Sequence, residues 1–220
     1  MKKFIVVGVS ILLVVFTSLF LIYKFYKIEL FKSYYDTNKV KKVGNIVFHY
    51  NPESEEKVEG IEDYLRKITS FQKEWFNYVV KKEIHIFLGK SDEELQHDDK
   101  GSYYEYLKII YLNSEMEKEQ FDNILAHELA HLYFTEYVKD QNINVDDIPL
   151  WFHEGIAMSF AQRLSPSTIT ERVVKSEPLM DISPKKMDDG KNAYYGSQYI
   201  EMMFAVEYII HQKKLQLLIR

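Results

Sequence analysis

The chain of 220 residues contains no cysteine. That absence removes a disulfide framework, a thiolate zinc finger, an iron–sulfur site and a cysteine nucleophile together. Strong metal ligands are then restricted to His, Asp and Glu. The chain also lacks internal repeats, low-complexity tracts and a net excess of basic residues, its formal charge being −5. The first 27 residues hold four Lys and no acid, so the remainder is more acidic still. Such a surface repels phosphate backbones, and no nucleic-acid partner is expected. What is present is a core: apolar residues make up 46% and aromatic residues 15% of the chain, enough to fold one domain with a modest appendage.

One apolar run opens the chain. Phe4 to Tyr23 carries no charge, with Lys2 and Lys3 before it and Lys24 and Lys27 after it. Its length matches a bilayer core of ~30 Å, and it leaves through bulky aromatics rather than a small-residue cleavage site. The expected organisation is a transmembrane anchor over 1–27, a juxtamembrane stalk over 28–44 and a folded domain over 45–220. The expected localisation is single-pass in a membrane. Lysines on both sides of the run give no orientation.

The soluble part reads as α+β. Asn45 to Tyr50 and Glu83 to Leu88 have the composition of strands, as does Tyr103 to Leu112 read as one strand. Between the first two, Val58, Ile61, Leu65, Ile68, Phe71, Trp75 and Tyr78 recur at helical spacing. Ser91 to Glu94 reads as the start of a short helix. Further helices are expected near 117–138, 149–164 and 193–212, so a small mixed sheet is followed by a helical half.

The chemistry lies in the first of these later helices. His127-Glu128-Leu129-Ala130-His131 places two imidazoles four residues apart on one helical face, where both can reach one ion. Glu128, beside the first of them, can direct its carboxylate at an attacking water, as a general base requires. A catalytic zinc needs a third protein ligand and an open position. Glu154, in Leu150-Trp151-Phe152-His153-Glu154-Gly155-Ile156-Ala157, is the leading candidate, with His153 as its competitor. Asp122, Asp146 and Asp147 are candidate supports for the ligands.

The combination of HELAH with LWFHEGIA resembles the gluzincin clan of zinc metallopeptidases, in particular the bacterial peptidase MA-like domains, over roughly residues 45–218. The resemblance implies a zincin-like fold, one Zn2+ on His127, His131 and Glu154, Glu128 as general base, and a peptide or protein substrate. It also implies an extracytoplasmic domain. Ala193 to Ile200 looks like the family's Tyr-containing helix start, which makes Tyr194 or Tyr195 the candidate donor to the oxyanion. Two departures are visible. Phe134 and Tyr137 stand where the metzincin extension needs Gly and His, and Met158 stands where thermolysin-like enzymes place an Asp. The expected activity is zinc-dependent peptide hydrolysis. A noncatalytic metal-binding or peptide-binding module derived from such an enzyme is the alternative, and a metal-dependent amidase uses the same chemistry.

Overall fold

The computed structural model describes residues 12–20, 32, 37–90, 100–164 and 193–211, the last segment with side chains from Tyr199 onward. Five strands form one mixed sheet: β1 (Lys39–Val43), β2 (Ile46–Tyr50), β3 (Ile84–Gly89), β4 (Gly101–Tyr104) and β5 (Ile109–Asn113), in the order β1-β2-β3-β5-β4. The inner pairs β2/β3 and β3/β5 are parallel, and the outer pairs β1/β2 and β4/β5 are antiparallel. Both edges are therefore hairpins. Helix α1 (Ile61–Phe76) provides the crossover between the parallel strands β2 and β3.

Three more helices follow: α2 (Lys118–Asp140), α3 (Leu150–Leu164) and α4 (Ala193–His211). Ile46, Phe48, Ile84, Ile86, Ile110 and Leu112 line the sheet face that joins the helices in one core. Val47, His49, Phe87, Ile109 and Tyr111, on the opposite face, are buried as well. The central strands consequently read as continuous apolar runs, as parallel strands buried on both faces do. Helix α2 is buried around most of its circumference, from Phe121 to Val138, because the sheet, α1 and α3 all pack on it.

The structure corrects the sequence reading at three places. The expected membrane span does not stand, because among the described residues no helix is long and apolar enough to cross a membrane. Of Phe4 to Tyr23, only residues 12–20 are described, as helix. The anchor, the membrane as partner and the single-pass localisation fall with the span, and so does the extracytoplasmic placement that the resemblance implied, while the α+β arrangement of a small mixed sheet followed by helices stands. Second, the sheet begins at Lys39, inside the segment assigned to a stalk, with Gly44 in the left-handed conformation (φ 61°) that turns β1 into β2. Third, Tyr103 to Leu112 is two strands rather than one. Lys108 adopts φ 54° and its N–H donates to the Tyr104 carbonyl at 2.8 Å, closing a hairpin where alternation alone suggested continuity. The short helix expected at Ser91 to Glu94 lies outside the described residues.

Candidate metal centre

The motif histidines sit in the middle of α2, and helical periodicity turns both toward the opening between α2, α3 and β4. Their Nε2 atoms are 3.0 Å apart, with the rings nearly perpendicular at 81°. Glu154, in the second turn of α3, brings Oε2 to 3.5 Å from His127 Nε2 and 3.6 Å from His131 Nε2. One donor atom from each of the three residues lies within 4.8 Å of the others. Four-coordinate zinc with bonds of about 2.0–2.2 Å has ligand–ligand edges of about 3.3–3.6 Å, so the two edges to Glu154, 3.5 and 3.6 Å, match such an ion and the 3.0 Å edge between the imidazoles is somewhat shorter. The donor set of two imidazoles and one carboxylate is also the right chemistry for it.

Electrostatics agree with the geometry. Burial pushes the Glu154 carboxyl upward, but His131 and His127 outweigh it and hold the group well below the usual carboxylate range. Glu128 behaves in the opposite way. Its side chain is buried at 7% exposure, and that burial raises its carboxyl above the ordinary value despite the two neighbouring imidazoles and a hydrogen bond from the Tyr103 backbone N–H. Two carboxylates side by side are thereby differentiated, one held ionised as a ligand and the other biased toward holding a proton.

The approach of α3 to α2 depends on the segment before it. Asn144 accepts from the Asp146 N–H and starts a 3-10 turn at Val145–Asp147, after which Pro149 opens α3. His153 faces the cleft, yet it is not one of the three converging donors. Its ring lies edge-on to Phe134 at 5.0 Å, with the Val145 backbone favouring its charged form. Burial is the main reason why its pKa falls below the ordinary imidazole value.

The cleft has a volume of about 730 Å³ and is walled by β4, by the exposed ends of the α2 residues, by the loop before α3 and by α4. Tyr194 and Tyr195 fall within the α4 backbone, but their side chains lie outside the described residues. Among the described residues, the α4 tyrosine that lines the cleft is Tyr199. The sequence reading passed over it, although it stands one helical turn beyond Tyr195. Thr135 was passed over too, and its signal was the same: it follows His127 and His131 at intervals of four on one face. Of the three aspartates considered as supports, Asp122 pairs with Lys118, Asp147 meets the Asn144 amide at 3.5 Å, and Asp146 lines the cleft.

Comparison with curated proteins gives no match. Comparison with protein families does: residues 81–149 match the model described as the IrrE N-terminal-like domain, Peptidase_M78. The matched stretch runs from the approach to β3 through all of α2 and ends at Pro149, so it contains His127, Glu128 and His131 and stops before Glu154. This match and the converging His127, His131 and Glu154 support a metal-binding, peptidase-like domain. A Peptidase_M78 domain, IrrE-like and of the same MA clan as the gluzincins, is thus present at residues 81–149 of this chain.

Proposed function

We propose that the chain is a zinc-dependent peptidase, with His127, His131 and Glu154 as ligands and Glu128 as general base. The observation that carries the reading is the convergence of the three donor atoms beside a buried carboxylate that is not one of them. When bound, the ion supplies Lewis-acid polarisation of the scissile carbonyl and lowers the pKa of a coordinated water. Glu128 accepts a proton from the attacking water and returns it to the nitrogen of the leaving amine, and its raised pKa suits both transfers. A phenolic hydroxyl on α4 donates to the developing oxyanion, with Tyr194 and Tyr195 as candidates by resemblance and Tyr199 by its place in the cleft.

A peptide is favoured over a small amide by β4. Among the described residues this strand is an edge of the sheet, and it lines the cleft, so an extended backbone laid across the site runs beside it.

The test uses the purified full chain. Elemental analysis is expected to find about one zinc per chain, lost with Glu154→Ala and kept with His153→Ala. A peptide library read by mass spectrometry should show cleavage that Glu128→Gln abolishes. A folded, metal-supplemented protein with less than about a tenth of an ion per chain would overturn the reading.

A further inference from the structure

The β4–β5 hairpin touches the base at two points. The Tyr103 backbone N–H is close enough to favour the charged form of the Glu128 carboxylate, and a β-carbon built on Gly101 would lie 3.1 Å from Glu128 Cγ. The position of β4 along α2 therefore sets where the Glu128 carboxylate is held. Yet β4 has little of its own to fix that position. It is four residues long, reads Gly-Ser-Tyr-Tyr, sits at the sheet edge and is half-buried throughout. Short polar edge strands specify register weakly, and a slip of one residue would exchange the faces of Ser102 and Tyr103.

Two ion pairs supply what the strand lacks. Glu136 on α2 meets Lys108 of the hairpin at 2.6 Å, and Lys139 on α2 meets Glu105 of the hairpin at 2.8 Å. The charges are crossed: the helix offers acid then base three residues apart, and the hairpin offers acid then base three residues apart. Sliding one element along the other sets like charges together, so the pattern defines a single alignment. Glu136 is the buried member, with a side chain 8% exposed, and Lys82 stands 3.6 Å from its other oxygen. A well-packed apolar residue of similar volume would serve stability at least as well there, whereas a charge fixes geometry. Glu136 also lies two turns beyond Glu128, so the residue that anchors the hairpin and the residue the hairpin positions share one face of one helix.

We infer that the crossed pairs Glu136–Lys108 and Lys139–Glu105 form a clamp that sets the register of β4 against α2, and that Glu136 is thereby a positioning residue for Glu128. The catalytic consequence rests on the reading of Glu128 as the base, while the structural consequence does not. Hydrogen exchange of the full chain separates them. In Glu136→Gln and in Lys108→Met, amides of β4, that of Tyr103 included, are expected to exchange about tenfold faster while β2 and β3 keep their protection, and Lys108→Arg should match the wild type. On a peptide that the wild type cleaves, Glu136→Gln should lower kcat about tenfold, with KM and bound metal per chain little changed. Unchanged β4 exchange, or an equal rise in β2 and β3, overturns the clamp. Faster β4 exchange in a chain that cleaves no peptide confirms the clamp and counts against the catalytic reading alone.

Discussion

A β-carbon placed on Gly155 would lie 2.4 Å from the carbonyl oxygen of Met202. Helices α3 and α4 therefore meet backbone to backbone immediately after Glu154, a closeness that only a residue without a side chain permits. The Ser159 hydroxyl, which donates to the Met203 carbonyl at 3.4 Å, continues the same seam. Because the clash is with backbone, it cannot be relieved by turning a side chain. Gly155→Ala should cost about 1–3 kcal/mol in overpacking, against about 1 kcal/mol gained in helix propensity. The expected outcome is a melting temperature lower by up to about 8 °C, with weaker zinc retention because Glu154 shares the displaced backbone. A variant that melts at or above the wild type would show that α4 yields freely.

Gly101 is the corresponding contact on the other wall. A β-carbon there would meet Ile124 Cγ2 at 2.6 Å and Glu128 Cγ at 3.1 Å, and the three metal-donating side chains are not among its nearest neighbours. Gly101→Ala should therefore shift Glu128 while leaving the donor set in place. Since a misplacement of about 1 Å at a reacting group can cost ~100-fold, a loss of tenfold or more in kcat is expected with about one zinc per chain still bound. Loss of the metal along with activity would mean that the strain reaches His127 or His131 instead.

The pair of helices that hold the donors was legible because helical spacing and ligand chemistry act locally. His127 and His131 need only one turn of α2 to meet, and Pro149 marks where α3 starts. The α1 periodicity was equally plain, though the last turn buries Phe76 rather than Trp75. The hairpin was not legible, because its turn uses Glu105, Tyr106, Leu107 and Lys108 with no Gly, Asn or Pro, and Lys108 takes the left-handed conformation against its preference. The clamp explains why that turn persists: both of its charged ends are tied to α2. β1 was missed for another reason. Lys39, Lys41 and Lys42 gave it the look of a polar stalk, and only in the fold do those lysines reach Glu55, Glu62 and Glu83. The apolar run at the amino terminus was read from its length, its lack of charge and its lysine and aromatic flanks, and among the described residues no helix is long and apolar enough to cross a membrane.

Metal removal should be visible as a loss of stability. The three donors come from two helices, so an ion held between them ties α2 to α3 and is absent from the unfolded chain. At free zinc about 100 times the dissociation constant, the linkage is worth about 2.7 kcal/mol. Chelation should then lower the melting temperature of the wild type by roughly 5–11 °C. His127→Ala should melt at one temperature with or without chelator. An equal chelator shift in both proteins would place the stabilising ion elsewhere.

Acid stability isolates the role of Glu136. Burial alone would raise its carboxyl above the ordinary 4.5, but the hydrogen bond from Lys108 and the charges of Lys108, Lys82 and Lys139 reverse the direction, leaving it below that value. A carboxyl depressed in the folded state binds fewer protons there than in the unfolded chain. Its stabilisation is therefore complete above the unfolded value and is lost as the pH falls through the folded one. Lys108 and Lys82 keep 39% and 72% of their side chains exposed, and solvent screening holds the contribution to about 1 kcal/mol. Urea unfolding of the chelated wild type and of Glu136→Gln, in a series of falling pH that starts at pH 7, should show a gap of that size at pH 7 that narrows below the ordinary carboxyl value of 4.5 and closes as the carboxyl takes up its proton in the folded state. The other carboxyls titrate alike in both proteins and cancel from the difference. A gap that persists unchanged into acid would mean that the glutamate contributes by packing rather than by charge.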